Sequence, residues 1–236
     1  MNFDEYVSIG KKLVKEGNHT MAAENFQAAL KIQPDEEIKQ LLLNCYYVIQ
    51  SEALIREANS RIKTIEGLWG VKITDLDTTI KEYSDKIKLN PNASFEREFL
   101  GSSTTVLAKN VLGDALYVRS LHALSKKDYK SCIEDLNKAI ECMPNSPNFL
   151  NKRGMACEKI DDYDQAIADY KKWMEIKPDD DTPKRRLVEV HNWRGISRCN
   201  NGDLNGSIAD FEACLEIDAD FEPAISNLKA IKAHMT

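Results

Sequence analysis

An all-α fold of stacked helical hairpins, a solenoid, is what this sequence predicts, on three observations. Glycine and proline number only 10 and 7 in 236 residues, too few for the closely spaced turns of an all-β sandwich. A large side chain followed eight residues later by proline recurs at Phe26–Pro34, Tyr83–Pro91, Leu136–Pro144 and Tyr170–Pro178, and Phe211–Ala219 keeps the spacing without the proline. A short residue stands four positions before each large one (Ala22, Thr79, Cys132, Ala166, Ser207), and Gly10, Gly67, Ser120, Gly154 or Gly195 stands sixteen before. From Ser120 to Gly154 the period is 34 residues. A repeat of that length is one supersecondary unit that must stack on neighbours to bury its apolar face.

The spacing has a mechanical meaning. A small residue on a first helix lets a second helix cross close to it, and the small–large i, i+4 pair sets a hole and a knob on one face of that second helix. Proline then stops the second helix and turns the chain. Residues 1–36 form the first such unit. Residues 37–66 predict a long helix, with Ile38, Leu41, Cys45, Val48, Ile55, Ile62 and Ile65 at helical spacing on one face, broken at Gly67-Leu68-Trp69-Gly70. Thr74 is expected to cap a second helix with Asp75 and Asp77 in its first turn, where the helix dipole favours anions. The stretch 60–93 reads as a degenerate copy of the unit. In 94–112 we expect a short helix, a Gly-Ser-Ser-Thr turn and a backward extension of the next first helix. Units 113–146 and 147–180 abut. Extra residues precede 188–221, since Gly154 and Gly195 are 41 apart, and Asp179 to Asp181 before Pro183 predict a capped, lengthened helix. Residues 222–236, amphipathic through Ile225, Leu228 and Ile231, predict a C-terminal capping helix. Four repeats of 34 residues, the first over about 3–36, account for 136 of the 236 residues and leave 100 outside them.

On these residues the chain resembles the tetratricopeptide repeat (TPR) family, most strongly over 113–146 and 147–180. The resemblance implies a right-handed α-solenoid of TPR hairpins, interrupted by a non-repeat helical insert at 37–112. It also implies a concave groove, lined by the first helices, that binds a protein or peptide partner. Carried over by position, the groove residues are Tyr117, Asn151 and Asn192 in register, Val118, Lys152 and Trp193 one residue on, and Leu121, Met155 and Ile196 one turn beyond. An asparagine amide donates and accepts at once and so grips an extended chain whatever its sequence. Trp193 and Tyr117 suit anchor contacts. The competing expectation is that the insert covers the apolar row, which leaves a structural subunit of a homo- or hetero-oligomer. TPR domains that hold the C-terminal Glu-Glu-Val-Asp tails of Hsp70 and Hsp90 carry a Lys and an Asn, four apart, on the first helix of their clamp. Here those positions are Val7 and Lys11, then Tyr117 and Leu121, then Asn151 and Met155, so that clamp is not expected. Asp114-Ala115-Leu116-Tyr117-Val118-Arg119 is similar to repeats of eukaryotic TPR co-chaperones, including those fused to a J domain. No His-Pro-Asp triplet occurs, so a J domain is not expected in this chain.

Composition limits the other functions. Apolar residues make up 42% and charged residues 30% of the chain, a globular balance with too much charge for a membrane protein. No apolar run is long enough for membrane insertion. A net charge of −6 gives no strongly basic face for nucleic acid. The acidic start, MNFDEYVSIG, has no signal-peptide shape. The six cysteines, without a C-x-x-C pair, then read as reduced thiols of a cytoplasmic protein. Cys132, Cys157 and Cys214 fall where the repeat wants a small apolar side chain. His191 and Cys199 are eight residues apart, too far along a helix for one tetrahedral ion. Asp161-Asp162 reads as a turn, Asp179 to Asp181 as a cap and Lys184-Arg185-Arg186 as a solvated face. With no phosphate loop, HExxH or GxSxG, the chain is expected to hold no cofactor or metal and to act as a non-catalytic adaptor.

Overall fold

The computed structural model describes residues 1–69, 75–99 and 102–235. Helices α1 (Phe3–Lys15) and α2 (His19–Ile32) form a first hairpin, and a 34-residue helix, α3 (Glu36–Trp69), follows. Next come α4 (Leu76–Leu89) and an antiparallel pair of strands, β1 (Ser94–Phe99) and β2 (Ser102–Leu107). Three hairpins complete the stack: α5 (Ala108–Ser125) with α6 (Tyr129–Cys142), α7 (Pro147–Glu158) with α8 (Tyr163–Ile176), and α9 (Thr182–Asn200) with α10 (Leu204–Ile217). The helix α11 (Glu222–Met235) packs on α10. Among the described residues no helix is long and apolar enough to cross a membrane.

The local chemistry of the turns repeats with the hairpins. The second helices α2, α6, α8 and α10 are capped by Asn18, Asp128, Asp162 and Asp203, each side chain accepting from the backbone amide three residues on. The residue before each cap is left-handed: Gly17, Lys127, Asp161 and Gly202 have φ of 77°, 62°, 61° and 82°. Glycine adopts that conformation freely, whereas Lys127 and Asp161 adopt it at a cost.

Close crossing then sets each hairpin. A Cβ at Gly10 would lie 2.5 Å from the Phe26 ring, one at Gly154 2.8 Å from Tyr170 and one at Gly195 2.7 Å from Phe211. Where the first helix has Ser120 instead, the residue sixteen on is the smaller Leu136, fully buried. One position earlier runs a second ladder. Arg119 holds Asp135 at 2.8 and 2.7 Å, Arg153 holds Asp169 at 2.9 and 2.6 Å, and Arg194 holds Asp210. The remaining guanidinium nitrogen of each reaches the preceding second helix or α4, at Asp77, Asn137 and Asp164. The three aspartates are buried, so these planar forks compensate carboxylates taken out of water. Burial pushes the Asp210 carboxyl up, but donors from His191 and Arg194, with Arg198 beside them, outweigh it and hold it below its ordinary value.

Among the described residues three apolar cores lie along the chain. The first joins Ala22, Phe26 and Ala29 to Ile38 and Cys45 of α3. The central one runs from Ala58 of α3 through α5 to α8 and ends on Leu187 and Val190 of α9. The third joins Val188 and α10 to Ala224, Leu228 and Ile231 of α11. Helix α3 therefore serves two cores, and the single apolar face expected of it is divided. Ile38, Leu41 and Cys45 meet α1 and α2; Leu54, Ala58 and Ile62 meet the central core; Ile55 points to solvent at 40% exposure.

Several local expectations are corrected. Helix α3 continues through Gly67-Leu68 to Trp69, because glycine weakens a helix without forbidding it; Gly70, Thr74 and the side chains of Ile65 and Trp69 lie outside the described residues. Asp75 caps α4, accepting from the Thr78 amide at 2.8 Å. Among the described residues α3 and α4 both pack on α5 and not on each other as a hairpin. The short helix expected after residue 94 is instead β1 and β2, with Ser94 opposite Leu107 and Phe99 opposite Ser102; the run Thr104-Thr105-Val106 is β-branched and favours extended backbone. The expected backward extension is present, since α5 starts at Ala108. The expected lengthened helix is present as the 19-residue α9; its N-cap Asp181 pairs with Lys184, and Asp180 before it accepts from the Thr182 amide at 2.9 Å. On α11 the core residue is Ala224, while Ile225 turns outward.

Three outcomes test this packing. Gly195→Ser is expected to lower stability by about 1–3 kcal/mol through overpacking, seen as a lower thermal midpoint. Adding Phe211→Leu, which copies the Ser120 and Leu136 pair, restores most of the loss; a double variant no better than the single would refute a steric origin. Arg153→Met strands the buried Asp169 carboxylate and is expected to cost about 3–5 kcal/mol. Urea unfolding of the full cycle with Asp169→Leu should show the double variant recovering much of that loss. The folded-state pKa of Asp210 lies below its unfolded value of 3.8, so its contribution is present above that pH and is lost as pH falls through the folded pKa. Arg194→Gln is expected to shift the acid-unfolding midpoint, followed by circular dichroism, to higher pH.

Candidate functional site

The first helices α5, α7 and α9 present one face of the stack, and the residues expected to line it meet different fates. Tyr117 and Leu121 of α5 are buried. Lys152 of α7 is reduced to 14% side-chain exposure. Met155 and Asn151 are half-buried. On α9 Asn192 is buried and accepts from the Asn227 amide of α11 at 3.2 Å, Trp193 is half-buried, and Ile196 remains 39% exposed. The two in-register asparagines therefore differ in surroundings, since α11 engages one of them.

What covers α5 is the second half of α3. Glu57 accepts from the Tyr117 hydroxyl at 2.5 Å and from Lys152 Nζ at 2.8 Å, so one carboxylate ties α3 to both α5 and α7. One turn on, Arg61 holds the buried Asp114 through Nε, at 3.1 Å, and through Nη2. Burial, followed by the Glu57 carboxylate, pushes the Tyr117 hydroxyl up, which keeps it a donor. The pairings Arg61 with Asp114 and Glu57 with Tyr117 run in opposite chain directions, so α3 lies antiparallel to α5. The repeat pattern puts Tyr117, Leu121 and Lys152 in an open groove and gives no hint of Leu54, Glu57 and Arg61, which fill that place. Their own signal is Leu54, Glu57, Ala58, Arg61 and Ile62 at i, i+3, i+4, i+7 and i+8, a mixed polar and apolar stripe that hydrophobic periodicity alone passes over.

Two depressions remain beside the covered zone. One, of about 250 Å³, lies between α3, the α5–α6 turn and α7; Leu54, Leu124, Tyr129 and Met155 supply apolar walls, with Lys127, Lys152 and Lys159 around them. The other, of about 410 Å³, opens over α9 and the α7–α8 turn and is lined by Tyr163, Trp193, Ile196, Ser197 and Asn200. Asp161 closes its edge and accepts from the Tyr163 hydroxyl at 2.5 Å. An aromatic plane, an exposed aliphatic side chain and short amide and hydroxyl groups together suit contact with a polypeptide.

Four of the six thiols are enclosed in the packing. Cys132, Cys157 and Cys214 are fully buried, and burial pushes each up to about 12, far from the thiolate that a nucleophile requires at neutral pH. They fill the small-residue positions of α6, the end of α7 and α10.

Comparison with known proteins agrees with this architecture. Residues 147–180 match the family model of the tetratricopeptide repeat. The small glutamine-rich tetratricopeptide repeat-containing protein 2 of Mycosarcoma maydis is 31% identical over 114 residues, 48% of this chain and 30% of that protein. The DnaJ homolog subfamily C member 3 of Gallus gallus is 22% identical over 239 residues, 97% of this chain and 45% of that protein. The chain thus spans less than half the length of these relatives. The C-terminal part of a TPR repeat-containing protein from Cytophaga hutchinsonii aligns with a TM-score of 0.40 and 18% identity over 97% of this chain and 74% of that one. Residues 147–180 thus match a tetratricopeptide repeat, and along nearly its whole length the chain is similar to the DnaJ homolog subfamily C member 3.

Proposed function

We propose that this chain is a non-catalytic adaptor that binds a peptide or helix of a protein partner on the face of its first helices. In this reading the repeat units are 1–36, 113–146, 147–180 and 188–221, with 37–112 as the insert and 222–236 as the capping helix. The observation that carries the proposal is that Trp193 and Ile196 stay accessible over a depression of about 410 Å³, while the equivalent residues of α5 are buried. Exposed aromatic and aliphatic side chains at the edge of a recess supply the anchor contacts that dominate protein recognition. The recognition stretch is therefore narrower than the row of nine residues and centres on Asn151, Met155, Trp193 and Ile196. A relative named as a DnaJ homolog supports a chaperone-associated setting for the partner.

A second reading, a structural subunit whose face is filled by its own insert, draws on the burial of Tyr117 and Leu121 under α3. The first reading expects a monomer at all concentrations by light scattering, whereas the second expects a concentration-dependent assembly.

Trp193→Ala with Ile196→Ser is expected to weaken binding of a captured partner by roughly tenfold or more, as loss of a hot spot does. Titration calorimetry with the purified partner measures it, and Leu43→Ser, an exposed residue on α3, serves as the control. An unchanged affinity in the double variant would remove the groove reading.

A further inference from the structure

The part of α3 that lies on α5 and α7 forms a thin seam. Among its described side chains the apolar ones are Leu54, Ala58 and Ile62, and of these Ala58 is fully buried. The rest is polar: Glu57 to Tyr117 and Lys152, and Arg61 to Asp114. The spacing i, i+3, i+4, i+7, i+8 is that of a helix laid into a groove. The surface beneath is built by residues far along the chain, and its hairpins hold their own cap, crossing and arginine ladders without α3.

We propose that residues 54–62 are a built-in occupant of a recognition face on α5 and α7. That face takes in their place a partner's amphipathic helix with the same order of groups: apolar, acidic, small, basic, apolar. The inference rests on the adaptor reading above and names the partner's chemistry. The partner's carboxylate meets Lys152 and the Tyr117 hydroxyl, its small residue lets the backbone approach α5 as Ala58 does, and its cation meets Asp114. A helix with the charges reversed is rejected, because Asp114 and Lys152 would then face like charges. A tethered segment competes at an effective concentration on the order of millimolar, so the occupant sets the affinity a partner must exceed.

The test uses the full chain and a fluorescent peptide of residues 50–66. Glu57→Lys with Arg61→Glu reverses both seam charges in cis and leaves the face of α5 and α7 intact. This variant is expected to keep its helical content and to bind the peptide roughly tenfold or more tighter than the unaltered chain, by fluorescence anisotropy. Adding Lys152→Glu restores one cis pair and removes a partner for the peptide, so binding in trans is expected to disappear. A folded variant that ignores the peptide, or an unaltered chain that binds it equally well, overturns the proposal. A variant that unfolds also overturns it, since the seam is then core. Hydrogen exchange on the unaltered chain gives an independent reading: amides of 54–62 are expected to exchange faster than those of 114–121, and equal protection counts against release. Dimers of the opened variant, seen by light scattering, would make the occupant a second copy's α3 and overturn the partner assignment. The Trp193 measurement is scored separately, so either result can fail while the other stands.

Discussion

At Gly10, Gly154 and Gly195 the missing Cβ lets the rings of Phe26, Tyr170 and Phe211 rest on the backbone of the first helix, and the crossing of each hairpin follows from that contact. Packed interiors tolerate little change in volume, so the size of one residue fixes its partner. Ser120 accordingly meets Leu136 and not a ring. In three hairpins the arginine just before the small residue grips the aspartate just before the large one, at Arg119 and Asp135, Arg153 and Asp169, Arg194 and Asp210. The apolar crossing and the ion pair are thus neighbours in sequence and in space. The first hairpin has Ile9 and Asn25 at these places and keeps only the crossing.

The same arrangement explains how the face is shared. Each arginine also reaches the element before it, at Asp77, Asn137 or Asp164, so α4 to α10 are fixed to one another by a polar ladder on one side. On the other side α3 is fixed by Glu57 and Arg61. The covered and open halves of the face therefore differ in kind: α5 meets a helix of its own chain, and α9 meets solvent around Trp193 and Ile196. On the two proposals above, recognition at the open half and occupancy at the covered half are adjacent uses of one surface.

The hairpins are legible in the sequence because each of their constraints leaves a residue at a fixed spacing. The small residue, the large residue sixteen on and the terminal proline can be counted along the chain. The caps, at Gly17-Asn18, Lys127-Asp128, Asp161-Asp162 and Gly202-Asp203, and the Arg–Asp ladder recur just as regularly. A count of small and large apolar residues does not reach them, since both are polar. The insert is less legible. Helix α3 divides its apolar residues between two cores, so no single periodic face describes it. Residues 94–99 and 102–107 pair as strands through a backbone register that composition does not display. Tyr117 and Leu121 do lie on the face of the first helices, yet periodicity reports which way a side chain points and not what else comes to lie on it.

Three cores strung along one chain make this molecule a series of springs, not a single block. Among the described residues the first core meets the central one through the continuous backbone of α3, with no side chain common to both clusters. Load or heat applied to α1 and α2 is carried to α5 along that rod, about 1.5 Å of length per residue. Unfolding then proceeds in steps that need not coincide, as in other linear arrays. The end held by Phe26 and Cys45 is expected to yield independently of the ladder that locks α5 to α10.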